Sequence, residues 1–225
     1  MNFLTLNLKA TLVAMVMGVL LLYLGGALGP FFLFTMLYFL VLSAAVTWFG
    51  HEYKRRAGLF ERQRGVRNVI ANGAWPLVMA LLYYILHIYS PAYQILAVAG
   101  FVGAVAAVTA DKFGSEIGVL DGIPRSIISF KRVNKGASGG ITHLGILAGV
   151  LASMLIGITS LFIYAYSPLY IYLFPLAIVG GIVGTLVDSL FGVFEEVGVG
   201  NKYTSNLIAS VVGGLVVMAI LAVIM

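Results

Sequence analysis

Acids, bases, hydroxyls and glycines crowd into one stretch of the chain, ADKFGSEIGVLDGIPRSIISFKRVNKGASGGITHLG, from Ala110 to Gly145. Asp111 and Glu116 carry the oxygen donors that hold a hard divalent cation such as Mg²⁺. On a continuous helix Asp111 and Ser115 share a face while Glu116 points about 140° away, so joint binding by the two acids requires a break, for which Gly114 is the candidate. The plainer reading of Asp111 is a helix-end carboxylate paired with Lys112. Further on, Lys131, Arg132 and Lys135 precede Gly136, Ser138, Gly139, Gly140 and Thr142. Cations, a glycine-permitted nest of backbone N–H groups and the start of a helix are together a chemistry for phosphate. The order excludes a Walker A loop, because the Lys stands before the glycines and no Gly-Lys-Ser/Thr ending follows. A flexible linker is the alternative for this run.

A third acid has an unusual setting. Gly180, Gly184, Asp188 and Gly192 recur every fourth residue, so three glycines and one carboxylate form a single helical stripe. Close helix packing explains the glycines but not Asp188, since a carboxylate costs up to about 3 kcal/mol at a bilayer centre and less at its edge. Asp188 is therefore expected to be a metal ligand or base, and Asp111, Glu116 and Asp188 form the expected catalytic and metal-binding set. Arg64, Asn68 and Asn72 also lie four apart, with Arg67 beside them. Two amides entering an apolar helix need partners, which a phosphate, a metal-bound water or an interhelical hydrogen bond would supply. Near the end of the chain Asn201 and Asn206 are placed to contact a nucleotide, and Thr204 or Ser205 to cap the last helix. His51, His87 and His143 are not spaced as a metal set.

The elements that must position these residues are membrane helices. Of the 225 residues 61% are hydrophobic and only 9% charged, and the mean hydropathy is +1.07, which excludes an ordinary soluble domain. A span needs about 20 mainly apolar residues. That rule predicts an all-α, polytopic protein with seven spans: Ala10–Leu28, Pro30–Phe49, Asn68–Tyr89, Pro91–Ala110, Thr142–Tyr166, Pro168–Phe191 and Asn206–Met225. The chain reads as a single integral-membrane domain over 1–225, with charged loops near 50–67, 111–141 and 192–205. The first span is too long for a signal-peptide core and is expected to remain in the membrane. All 13 Lys and Arg then fall on one side, which the positive-inside rule makes cytosolic, with the amino end inside and the carboxyl end outside. The basic first loop is equally well read as an anchor on anionic lipid. Because no acid sits mid-span, an ion pump or proton-coupled transporter is disfavoured. The net charge of +5 reports loop orientation rather than nucleic acid, and the absence of cysteine excludes disulfide and thiolate sites.

Two segments echo one another: FVGAVAAVTAD, ending at Asp111, resembles IVGGIVGTLVD, ending at Asp188, and NVIAN at Asn68 resembles NLIAS at Asn206. A parallel internal duplication would place two carboxylates and two amide sites around one cytosolic cleft.

With GVRNVIANG from Gly65, ADKFGSEIG from Ala110, KGASGGITHLG from Lys135, GTLVDSLFG from Gly184 and NKYTSN from Asn201, the chain resembles the integral-membrane family of plant phytyl-phosphate kinase. That family is more remotely similar to dolichol kinases and phosphatidate cytidylyltransferases. The resemblance covers about Arg64 to Ser210. It implies transfer of phosphate from a nucleoside triphosphate, CTP in the plant member, to an isoprenyl monophosphate such as phytyl or geranylgeranyl phosphate. It further implies roles for Arg67 and Asn72, for Asp111, Ser115 and Glu116, for Gly139, Gly140 and Thr142, and for the Asp188-Ser189 pair. The chain departs from the family pattern at Asp111-Lys112, where Asp-Thr is expected, and at Ala137 and Ser138, where Thr-Asn is expected. The expected arrangement has Mg²⁺ on Asp111, Glu116 and Asp188, and phosphates on Arg67, Lys131, Arg132 and Lys135, with Asn72 orienting one of them. Cytidylyl transfer to the lipid phosphate is the first alternative, and a lipid-phosphate transporter or scaffold the second. The sequence leaves the oligomeric state open, a homodimer included.

Overall fold

A computed structural model describes residues 5–61 and 63–225. Seven long helices account for most of the chain: α1 (Leu8–Gly25), α2 (Gly29–Trp48), α4 (Val66–Tyr89), α5 (Gln94–Gly118), α6 (His143–Thr159), α7 (Leu173–Glu196) and α8 (Lys202–Ile224), with a short α3 (His51–Arg56) between α2 and α4. Six apolar segments are long enough to cross a bilayer, and the first, Leu8–Trp48, runs for 41 residues. A 3-10 turn at Gly26–Leu28 folds that segment into the hairpin α1–α2, consistent with the seven expected helices. The polytopic all-α expectation holds, with one addition. A two-residue antiparallel ribbon, β1 (Arg125–Ser126) with β2 (Gly140–Ile141), ties the two ends of the long polar loop together.

Helix ends differ from the expected ones for local reasons. α5 continues without a break through Gly114 to Gly118. α8 starts at Lys202 because Asn201, not Thr204 or Ser205, is its cap: the Asn201 side chain accepts from the N–H groups of Tyr203 at 3.0 Å and Thr204 at 3.3 Å. α6 stops at Thr159, and the chain reverses through 3-10 turns over Ser160–Tyr166 and Pro168–Tyr172.

α5 is the axis of the bundle. It packs against α2, α4, α6, α7 and α8, and every residue from Ala97 to Ala110 is buried. Its Ala and Gly content lets these neighbours approach closely, the way helices associate where lipid supplies no hydrophobic driving force. At the α5–α7 contact a Cβ on Gly184 would lie 2.3 Å from the Ala107 Cβ, so the stripe of small residues on α7 is a seat for α5.

The three charged loops gather at one end of the bundle. Lys135 of the long loop donates to the Tyr53 hydroxyl of α3 at 2.8 Å, and Lys202 pairs with Glu61 at 3.1 Å. The opposite end is closed by the uncharged turns at Gly26–Leu28, Pro91–Tyr93 and Ser160–Tyr172.

Candidate active site

Where α5, α7 and α8 reach the charged end, they enclose a cavity of about 290 Å³ with the long loop. α5 supplies Asp111, Gly114 and Ser115; α7 supplies Thr185, Asp188, Ser189, Gly192 and Glu195; α8 supplies Lys202, Ser205 and Asn206. The glycine-rich run from Lys135 to Thr142 forms a further wall, with Pro124 and with Gly145 and Ile146 of α6. Asp111 and Asp188 both line this cavity, from neighbouring helices. The two echoed segments thus end side by side.

The loop is held against α7 by glycine geometry. Gly139 has φ +74° and passes so close to α7 that a Cβ there would lie 2.4 Å from Val193 Cγ2 and 2.7 Å from the Ser189 carbonyl. Only glycine satisfies both demands. Thr142 caps α6, its hydroxyl accepting from the Gly145 N–H at 3.1 Å. Asp121 accepts from the next free amide, that of Leu144, at 3.2 Å. These bonds from the Gly122 and Leu144 N–H groups hold the Asp121 carboxyl below the usual carboxylate range. Lys135 is pinned by the carbonyls of Val119 and Asp121 and lies over the Tyr53 ring, which brings one fixed cation to the cavity wall.

Polar side chains of the cavity are partly paired among themselves. Ser205 donates to Glu195 Oε1 at 2.6 Å. Asn206, in the amide orientation that satisfies both of its polar atoms, donates to Asp188 Oδ1 at 3.2 Å and to the Lys202 carbonyl at 2.9 Å. On its other side Asn206 meets Asn72 at 3.2 Å, and Asn72 meets Asn68 at 3.3 Å. The Thr185 hydroxyl is buried without a partner among the described residues. An orphaned donor and a string of amides ending on a carboxylate suit a ligand rich in oxygen acceptors.

Several expected site residues stand elsewhere. Glu116 does not line the cavity. Because α5 does not break, Glu116 keeps its offset of about 140° from Asp111 and turns toward α2 and α3. There its carboxylate is taken by Lys54 at 2.7 Å, by Arg64 at 3.5 Å and by Lys112. Lys54 is fully buried and also caps α2, donating to the Val46 carbonyl at 3.1 Å and that of Thr47 at 2.8 Å. The set of three carboxylates is thereby reduced to Asp111 and Asp188, and no group of three His, Cys, Asp or Glu side chains with metal-site spacing occurs among the described residues. Lys112, the plainer partner for Asp111, pairs with Glu116 instead.

Arg67, Lys131 and Arg132 are exposed and away from the cavity. Arg67 loses its place to Arg64, which the amino-terminal segment draws inward: the Arg64 N–H donates to the Thr5 carbonyl at 2.9 Å. Asn201 is occupied as a helix cap, and Asn68 and Asn72 sit behind Asn206 rather than in the cavity. Asp111, Ser115, Lys135, Ser138, Gly139, Gly140, Thr142, Asp188, Ser189 and Asn206 do converge there. Glu195, Lys202 and Ser205 join them without having been expected. Glu195 had a readable signal, since it lies seven residues after Asp188 and so returns to the same face of α7.

The chain matches the model of the integral membrane protein family DUF92 over residues 2–210. It belongs to that family. Among DUF92 relatives, an uncharacterized membrane protein of Methanocaldococcus jannaschii is 38% identical over 203 residues, 89% of this chain and 79% of the relative. Protein PGR of Arabidopsis thaliana is 30% identical over 70% of this chain and 62% of its own length. Protein VTE6, chloroplastic, of the same plant is 28% identical over 80% of this chain and 54% of its own. The chain thus spans little more than half the length of these plant relatives. No solved structure matches it significantly. The expected kinship with a membrane family that has plant members holds.

Proposed function

We propose that this DUF92 protein is a phosphotransferase that moves the terminal phosphate of a nucleoside triphosphate onto an isoprenyl monophosphate, giving the diphosphate. The observation that carries the reading is the convergence of Asp111 and Asp188 on one cavity whose opposite wall is a glycine-rich run of backbone amides. The resemblance to plant phytyl-phosphate kinase and the 28% identity to a chloroplastic plant relative support it.

Two carboxylates on one cavity fit Mg²⁺, which is commonly held by one or two protein carboxylates, waters and substrate phosphates rather than by a full protein cage. Bound there, the cation would neutralise charge on the transferred group. The rest falls to the chain itself. Lys135 and Lys202 supply positive charge to the phosphates, and the amides around Gly139 and Gly140 and the hydroxyls of Ser138, Ser115 and Ser189 supply hydrogen bonds. Asn206, braced by Asn72, orients Asp188 and the acceptor. In the transfer an oxygen of the lipid phosphate bonds to the γ-phosphorus while the bond from that phosphorus to the β–γ bridging oxygen breaks, and the nucleoside diphosphate leaves. Because the acceptor is already an anion, no side chain need take a proton, and positioning with charge neutralisation is the whole demand on the protein. CTP is the donor we favour, from the family resemblance. The positive-inside rule makes the charged end cytosolic, where a soluble nucleotide reaches the cavity.

A mass-resolved assay tests this reading. Purified protein in detergent with Mg²⁺, CTP or ATP, and phytyl or geranylgeranyl monophosphate is expected to yield the isoprenyl diphosphate and a nucleoside diphosphate. A nucleotide-linked lipid with pyrophosphate would replace the reading by cytidylyl transfer, and tight lipid binding without turnover by a transporter or scaffold.

A further inference from the structure

On the far side of the amide string, α1, α2 and α4 surround a second cavity, of about 80 Å³ and almost wholly apolar. Ala14, Met17, Leu21, Met36, Phe39 and Leu40 are among its walls. Gly73 forms part of the lining and packs closely on Met17, whose Cε would lie 2.6 Å from a Cβ there. Unbranched methionines adapt to an irregular hydrocarbon better than branched residues do.

At the charged end of the bundle the same cavity changes character. Thr5, Arg64, Asn68 and Asn72 line it there. Arg64 is 6% exposed and Thr5 2% exposed, yet the Arg64 Nε and the Thr5 hydroxyl have no hydrogen-bond partner among the described residues. A buried guanidinium N–H left unpaired is costly, and it marks the place of a missing acceptor. Lys54, Lys112 and Arg64 also share one carboxylate, that of Glu116, as their ion-pair partner among the described residues. Burial pulls the Arg64 pKa below its ordinary value, and Glu116, Glu61 and Asp111 offset this only in part. An anion beside Arg64 would supply the missing acceptor in a charge-assisted bond.

We infer that this cavity is the chain-binding site for a single-chain isoprenyl monophosphate, with its hydrocarbon between α1, α2 and α4 and its phosphate on Arg64 and Thr5. A volume of about 80 Å³ takes part of one chain rather than the two of a bilayer phospholipid, and the rest of a long chain lies between the helices and the lipid. Asn68 and Asn72 line this cavity, and Asn206 carries their string of amides on to Asp188. The identity of the ligand as the phosphate acceptor rests on the kinase reading; the existence of the site does not.

The test is equilibrium binding of geranylgeranyl monophosphate in EDTA without nucleotide, beside geranylgeraniol, inorganic phosphate and dioleoyl phosphatidic acid. Arg64→Gln keeps Glu116 paired with Lys54 and Lys112, and is expected to weaken the monophosphate tenfold or more while leaving the alcohol unchanged. Ala14→Trp, which fills the groove, is expected to weaken both. Should Arg64→Gln fail to fold, Thr5→Val is expected to weaken the monophosphate a few-fold. Unchanged affinities in the folded variants would overturn the site. So would phosphatidic acid binding as tightly with the same Arg64 dependence, or inorganic phosphate binding as tightly with none on Ala14. Binding that behaves as expected without any turnover on adding Mg²⁺ and nucleotide would overturn the kinase reading alone. Turnover whose lipid KM is untouched by Arg64→Gln and Ala14→Trp would overturn the groove alone.

Discussion

Asp111 on α5 and Asp188 on α7 line one cavity at the charged end of the bundle, one turn beyond the point where Gly184 seats α7 on Ala107. The glycine stripe and the carboxylate pair are therefore one device. Small residues bring the helix axes close enough for two short acids to share a ligand.

If the pair acts as a unit, Asp111→Asn and Asp188→Asn should each lower phosphotransfer at least a hundredfold. The double variant should be little worse than either, because groups that hold one ligand together are strongly non-additive. Rates from single-turnover assays on the three variants check this. Additive losses would mean two independent roles.

Glu116 should behave as a structural residue. Glu116→Gln leaves Lys54, Lys112 and Arg64 buried without their counter-charge, and breaking a buried pair by removing one partner costs roughly 3–5 kcal/mol. Thermal unfolding in detergent should show a large drop in stability, while the folded fraction keeps most of its Mg²⁺-dependent turnover. Loss of turnover with stability intact would return Glu116 to the site.

Gly139 and Gly198 separate backbone strain from collision. Both have positive φ, +74° and +85°, but a Cβ at Gly198 meets nothing within 4 Å, whereas at Gly139 it strikes α7. Alanine at Gly198 should cost only the left-handed penalty of about 1–2 kcal/mol and leave nucleotide KM unchanged. At Gly139 alanine should displace the loop and raise nucleotide KM tenfold or more. Steady-state kinetics and limited proteolysis of the loop read the difference.

Asp121 predicts an acid-side effect. Its folded pKa is depressed by the N–H groups of Gly122 and Leu144, so its contribution is fully present above the unfolded value of about 3.9 and fades as pH falls through the lower folded value. Asp121→Asn should therefore be less stable than the wild type at neutral pH, and the gap should close below about pH 4. Melting curves across that range decide it; a gap that persists at the acid end would contradict the assignment.

The sequence carried the bundle and about half of the site. Runs of apolar residues mark the helices because a bilayer demands length, and helical period alone places Asp111 with Ser115 and Asp188 with its glycines. Period also shows that Glu116 faces away, but not what waits there. Lys54 lies 62 residues earlier, and no local pattern predicts that partner. Arg64 and Arg67 are adjacent basic residues of one loop, and only the pairing of Arg64 with the segment at Thr5 sends one inward and leaves the other in water. Lys131 and Arg132 share their loop with Lys135, yet the ribbon at Arg125–Ser126 and Gly140–Ile141 fixes the fold of that loop so that Lys135 alone reaches the cavity.

The most direct test of the central claim is label transfer from nucleoside triphosphate to geranylgeranyl monophosphate by the purified protein, run with γ-labelled and α-labelled CTP beside Asp111→Asn. The account predicts label in the lipid from the γ position only, and none with the variant. Label from the α position, or γ-transfer that survives the loss of Asp111, would contradict it.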